Sequence, residues 1–139
     1  MVGNTVIVAT ENDMVYGING STGHVDWSRS LGQPYAITGC NNIIPNIGVT
    51  GSPVYDPGTG DVYVMAQIKP STKPLYSLFG LNPSTGAITS AVGVPLHPCN
   101  DPKLTFSGAM QLQRPGLLLV HGWVYAAFGG HCDHQPYAG

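Results

Sequence analysis

His131-Cys-Asp-His134 places four potential metal donors in consecutive positions. Imidazole nitrogen, carboxylate and thiolate are the groups that hold zinc- or copper-like ions. The expected donors are His131, Asp133 and His134, with Cys132 as an additional one. The spacing matches no established zinc pattern. The ordinary alternative is a polar loop with a disulfide among its residues.

Other chemistry is sparse. No Gly-x-Ser-x-Gly elbow, phosphate loop or His-Glu-x-x-His helix occurs. Glu11 and the aspartates fall at turns or strand edges, where a solvated polar residue is ordinary. Asn19-Gly-Ser21 is formally a glycosylation sequon. It lies inside a repeated turn, which explains it structurally.

The elements that must position these residues repeat. Gly17-Ile-Asn-Gly-Ser-Thr-Gly-His-Val25 aligns without a gap on Gly80-Leu-Asn-Pro-Ser-Thr-Gly-Ala-Ile88. Val62-Tyr-Val-Met-Ala66 resembles Val124-Tyr-Ala-Ala-Phe128, and Val6-Ile-Val-Ala9 resembles Val62-Tyr-Val-Met65. These segments are rich in Val, Ile and Tyr and bounded by Gly, Pro, Asn and Asp, as strands are. In Ser-Thr-Gly the hydroxyls can bond local backbone, while Gly23 and Gly86 admit a positive φ. No window carries a helical apolar stripe. All-β units that repeat hide one sheet face against the next.

The repeat predicts an all-β chain of antiparallel, four-stranded blades. Strands are expected near 5–10, 14–19 and 24–28, then 51–55, 62–67, 75–82 and 87–91, then 116–120 and 123–128. Blade 1 covers about 1–35, blade 2 about 48–95 and a partial blade 3 about 114–139.

Tyr16-Gly-Ile-Asn-Gly-Ser-Thr-Gly-His-Val-Asp-Trp27 resembles the repeat of pyrroloquinoline-quinone-type (PQQ-like) β-propellers. Gly17 stands for its small residue, Asn19 for its Asp and Trp27 for its docking Trp, while Ser90 takes the Trp position in the second copy. Ile47-Gly-Val-Thr-Gly-Ser-Pro-Val54, Arg114-Pro-Gly-Leu-Leu-Leu119 and Ala127-Phe-Gly-Gly-His-Cys-Asp-His-Gln-Pro-Tyr137 resemble further segments of bacterial secreted proteins with this domain. The resemblance implies a fragment of about two and a half blades from a larger ring. It also implies that PQQ and calcium would belong to a full-length quinoprotein enzyme, not to this fragment. Such enzymes hold the quinone on a Trp platform beside calcium-binding acids, often under an adjacent Cys–Cys bridge. Only Trp27 and Trp123 are present here, and no two cysteines are adjacent.

Blade topology groups the loops. With strands lettered A to D outward, D–A connections and B–C tips share one face of a propeller. That face should gather Cys40, His97, Cys99 and the 131–134 cluster. Tyr35, His97 and Tyr137 are the candidate ligand-face residues, with an aromatic body able to stack on a sugar or other planar group. Cys40 and Cys99 enter successive blades and are the first candidate disulfide, Cys99–Cys132 is the second, and three reduced thiols are the remaining option. Trp27, Gly23 and Gly86 are expected to be structural.

Composition sets outer bounds. The chain has 139 residues, 9% of them charged, and a formal net charge of −2. Its five Lys and Arg are scattered, so no basic stripe suits nucleic acid or an anionic membrane. No apolar run reaches membrane-spanning length. Nineteen Gly and 12 Pro beside 42% hydrophobic residues suit a turn-dense β core rather than disorder. Met1-Val-Gly-Asn4 leads directly into a strand without a signal-peptide pattern, so an extracellular or periplasmic parent would carry its targeting segment elsewhere. The first functional reading is a non-catalytic scaffold or binding propeller of a secreted or cell-surface protein. Its partners would be copies of itself or missing blades. The alternatives are a PQQ-dependent oxidoreductase fragment, with its active site in missing blades, and a carbohydrate-binding module.

Overall fold

A computed structural model describes residues 1–36, 43–97 and 103–132. All regular structure among them is β, and no described helix is long and apolar enough to cross a membrane. The first sheet holds β1 (Thr5–Ala9), β2 (Met14–Asn19) and β3 (Val25–Ser30), paired antiparallel in that order. The second holds β6 (Val54–Asp56), β7 (Asp61–Ile68), β8 (Leu75–Leu81) and β9 (Ile88–Gly93), again in chain order. A third ladder pairs β11 (Leu118–Val120) with β12 (Trp123–Tyr125).

The strand pattern follows the expected repeat. Two short ladders in the connections were not expected. One pairs β4 (Tyr35–Ala36) with β5 (Asn46–Ile47), and the other pairs β10 (Gln111–Leu112) with β13 (Gly129–Gly130). Both are two residues long, too short for a period-two pattern to reveal.

Alternation along the second sheet shows why its neighbours exist. Val62, Val64 and Ala66 of β7, with Phe79 and Leu81 of β8, pack toward the first sheet against Val15, Leu31 and Val49. The intervening Tyr63 and Met65, with Tyr76 and Leu78, pack the other way against Leu117, Val124, Phe106 and Phe128. Successive side chains leave a strand on opposite faces. A strand buried on both faces therefore reads as a continuous apolar run, as Val62-Tyr-Val-Met-Ala66 does. Tyr76, Phe106 and Phe128 meet edge to face, with centroids 4.9 to 6.2 Å apart.

The two copies of the repeated turn are built alike. Asn19 Oδ1 accepts the amides of Ser21 and Thr22 at 3.0 and 3.2 Å. Asn82 Oδ1 accepts those of Ser84 and Thr85 at 2.9 and 3.1 Å. Each turn closes on a left-handed glycine, Gly23 at φ 74° or Gly86 at φ 67°. Each is flanked by a register shift in the adjoining ladder, at Gly17/Ile18 and at Gly80/Leu81. The expectation gave this role to the Ser and Thr hydroxyls. The Asn carboxamide holds two amides, and the Thr hydroxyl accepts only the amide two residues on, His24 or Ala87, at 3.3 Å. Short carboxamides reach backbone amides of the next two or three residues, which makes them turn formers.

The outer faces of the end sheets are open. On the first, Val6 pairs with Ile18 and Val8 with Tyr16, on the side away from the core. On the third ladder, Leu118, Val120, Trp123 and Tyr125 share one face and are all exposed, Trp123 at 73%.

Candidate functional site

The side bearing the turns after β1 and β7 carries the polar groups that sequence reasoning passed over. The segment 46–50 crosses the tip that joins β1 to β2. Val49 N donates to Thr10 O at 3.2 Å, and Asn46 Nδ2 donates to Asn12 Oδ1 at 2.8 Å. Gly48 is required at this crossing. A Cβ there would lie 2.6 Å from Glu11 O and 2.7 Å from Asp13 Oδ1. The next crossing repeats the device: a Cβ on Gly108 would lie 2.6 Å from Pro74 O.

Asp13 is fully buried there, which corrects its placement among solvated turn residues. Its backbone is tied on both sides, N–H to Thr10 O at 3.1 Å and carbonyl to Leu31 N at 2.8 Å. Neither carboxylate oxygen has a hydrogen-bond partner, and burial pushes its pKa from 3.8 up to about 7. Gln67 and Gln113 are buried beside the same crossing segment. Gln67 N donates to Gly48 O at 3.1 Å, its Nε2 donates to Gly108 O, and Thr50 Oγ1 donates to Gln113 O. Both carboxamide oxygens, Gln67 Oε1 and Gln113 Oε1, lack partners. The Gln113 amide donates to Tyr76 Oη at 3.3 Å. Burial raises the Tyr76 phenol above its usual range; the Gln113 bond partly opposes this and the Asp13 charge adds to it.

These groups accept hydrogen bonds or hold a proton. They do not pair a nucleophile with a base. Among the described residues no three of His, Cys, Asp and Glu converge as metal ligands would. A cleft of about 500 Å³ opens on this side, between Lys73, Pro74 and Leu75 and the facing Leu96, Phe106 and Ala109.

Only some of the expected site residues fall among the described ones. His131 is 2% exposed, and its amide donates to Met110 O at 2.8 Å. Asp133, His134 and Tyr137 lie outside the described residues, as do Cys40 and Cys99. Cys132 is disulfide-bonded, so its sulfur is not a free thiolate donor. Tyr35 sits in β4 opposite Ile47, half-buried. His97 is exposed, with Nδ1 3.1 Å from Leu104 O.

The strongest construction lies between sheets. Trp27 of β3 rests on Gly17 of its own sheet, where a Cβ would fall 2.2 Å from the indole. Its other face meets the second turn, where a Cβ on Gly86 would fall 2.3 Å from it. Trp27 Nε1 donates to Pro83 O at 2.9 Å, and Arg29 Nε donates to Gly86 O at 2.7 Å. Trp27 therefore packs on the turn of the neighbouring sheet and not on the Ser21-Thr-Gly23 turn of its own repeat. Ser90, in the equivalent position of β9, only fills the space over Gly80 with its hydroxyl. Trp27 is enclosed by two glycines, and Trp123 lies on the outer sheet face.

No protein-family model matches the chain, and no curated protein does. Among solved structures, it is similar to BamB from Moraxella catarrhalis, with a TM-score of 0.55 at 18% identity over 94% of this chain and 34% of that one. The chain thus spans about a third of BamB's length. With its antiparallel sheets stacked in sequence order, the chain is a partial β-propeller.

Proposed function

We propose that the chain is a scaffold or binding segment of a larger propeller, without a catalytic centre of its own. The observation that carries this reading is the asymmetry of its apolar faces. The middle sheet is covered on both sides, whereas Val8 on one end and Leu118, Trp123 and Tyr125 on the other remain exposed. Contiguous apolar sheet faces of this kind mark surfaces that another body covers. The strand edges add unpaired backbone groups that recruit further strands. The partners fitting these faces are further blades or copies of the chain, and the loop-side cleft is the surface left for a ligand. The bridge at Cys132 supports an oxidising compartment, extracellular or periplasmic.

Static light scattering at micromolar concentration tests the reading. The chain should associate, or fold cooperatively only with added blades. A monomer of 14.6 kDa with a sharp cooperative melt would overturn it.

A further inference from the structure

The tip between β7 and β8 is built on a longer plan than the one between β1 and β2. The repeat offset is 56 from Val6 to Val62 but 63 from Gly17 to Gly80, so the second tip region carries seven more residues. The segment 105–109 meets that tip at Gly108, where a Cβ would lie 2.6 Å from Pro74 O and 3.0 Å from Leu75 Cα. Gln67 Nε2 holds the contact from below by donating to Gly108 O. Away from this contact the two segments part, and the cleft of about 500 Å³ lies between them with Leu96 on its wall. Phe106 N donates to Leu96 O at 2.7 Å, and the Phe106 ring meets Tyr76 and Phe128 edge to face, so this wall is fixed. The longer tip supplies Ser71, Lys73 and Pro74 of the lining, so the cleft belongs to this tip and not to the repeat.

The chemistry of the lining is one-sided. Ser71, Thr105 and Ser107 bring hydroxyls and Lys73 an ammonium, while no Asp or Glu lines the cleft. Among the described residues none of these four side chains has a hydrogen-bond or ion-pair partner. Hydroxyls can donate and an ammonium only donates, so the set suits an anion. The rest of the lining is apolar, which is how small-molecule sites are made: mostly hydrophobic walls with a few placed polar groups.

We propose that this cleft binds an aliphatic monocarboxylate, with its head on Lys73 and the hydroxyls and its alkyl chain along Leu75, Leu96 and Phe106. One cation matches one negative charge, and the apolar walls would leave a second charge on the ligand unpaired. Phe106 is the single aromatic ring in the lining, so no two ring faces sandwich a planar group, whereas an alkyl chain follows an uneven aliphatic wall. The proposal rests on the reading of this side as the ligand surface.

Equilibrium dialysis of radiolabelled decanoate against the full chain tests it. Binding should be saturable, and both decanol, which lacks the charge, and acetate, which lacks the chain, should compete at least about tenfold more weakly. Lys73→Gln should weaken decanoate by about tenfold or more, and Ala109→Trp should fill the cleft and abolish binding. Both positions are exposed, so both variants should melt with wild type. No saturable binding, equal competition by decanol, or binding unchanged in both variants overturns the site; the last result would put decanoate on the exposed apolar face around Trp123 instead. Light scattering separates this proposal from the scaffold reading. An associating chain that ignores decanoate overturns the ligand alone, whereas a cooperatively melting monomer that binds it through Lys73 overturns the open arc and supports the cleft.

Discussion

Trp27 and Gly86, 59 positions apart, touch so closely that a methyl group on Gly86 would fall 2.3 Å from the indole carbon Cε3. The contact joins the outer strand of one sheet to a turn of the next. It turns a local sequence repeat into a tertiary joint.

Trp27→Ala should therefore separate the first two sheets. Truncating a packed Trp costs about 3–5 kcal/mol. Trp27→Phe keeps most of the apolar contact but loses the bond to Pro83 O, about 1 kcal/mol. The expected order of melting temperature is wild type, then Phe, then Ala, with Ala at or below the limit of folding. An Ala variant melting with wild type would remove the joint from the fold's support.

Gly86→Val tests the same contact from the other side. It places a branched side chain where the indole lies and forces φ 67° on a β-branched residue. Gly23→Val carries the same backbone penalty at φ 74° but meets no neighbour. The Gly86 variant should be the less stable by chemical denaturation. Equal losses would reduce the contact to turn strain alone.

Asn82 should tolerate Asp and resist Ala. Its Oδ1 accepts two backbone amides, which Asp can also accept. Removing the acceptor costs about 1–2 kcal/mol, as at other sites where a side chain holds backbone amides. Thermal melts of Asn82→Asp and Asn82→Ala read the difference. Ala behaving like Asp would mean the glycine alone sets the turn.

Asp13 gives the fold a pH dependence of defined sign. Its carboxyl titrates near 3.8 when unfolded and about 7 when folded. The native state holds the proton where the unfolded chain has lost it, so stability falls as pH rises from about 4 to about 7 and then levels. A gap of that size corresponds to about 4 kcal/mol at the upper end. Asp13→Asn should flatten the curve across this window. A wild-type denaturation midpoint constant between pH 4 and 7 would show that the carboxylate has found a partner or solvent.

Reduction should weaken the end of the chain that holds Cys132. Loss of a native bridge typically costs about 2–5 kcal/mol. Peptide mapping under non-reducing conditions should recover Cys132 linked to Cys40 or Cys99, with the remaining thiol alkylated. A mapped Cys40–Cys99 peptide would contradict the bridge at Cys132.

The sequence by itself determined the strands and their repeat. Val, Ile and Tyr runs between Gly, Pro and Asn fix local conformation, and β1, β2, β7 and β8 lie where those runs predict. The repeated Ser-Thr-Gly turn was legible as well, because a turn's shape depends on residues adjacent in the chain, and Gly23 and Gly86 hold a positive φ in it. The Asn19 and Asn82 carboxamides were legible too, as constants of the repeat, though their bonds were assigned to hydroxyls. Tertiary structure alone decided that Trp27 reaches the next turn, that Asp13, Gln67 and Gln113 are buried together, and that Cys132 is bridged. Burial and pairing depend on which segment crosses which. Asp13 is buried because Gly48, 35 residues on, lies over it, and no local pattern around Asp13 encodes that crossing.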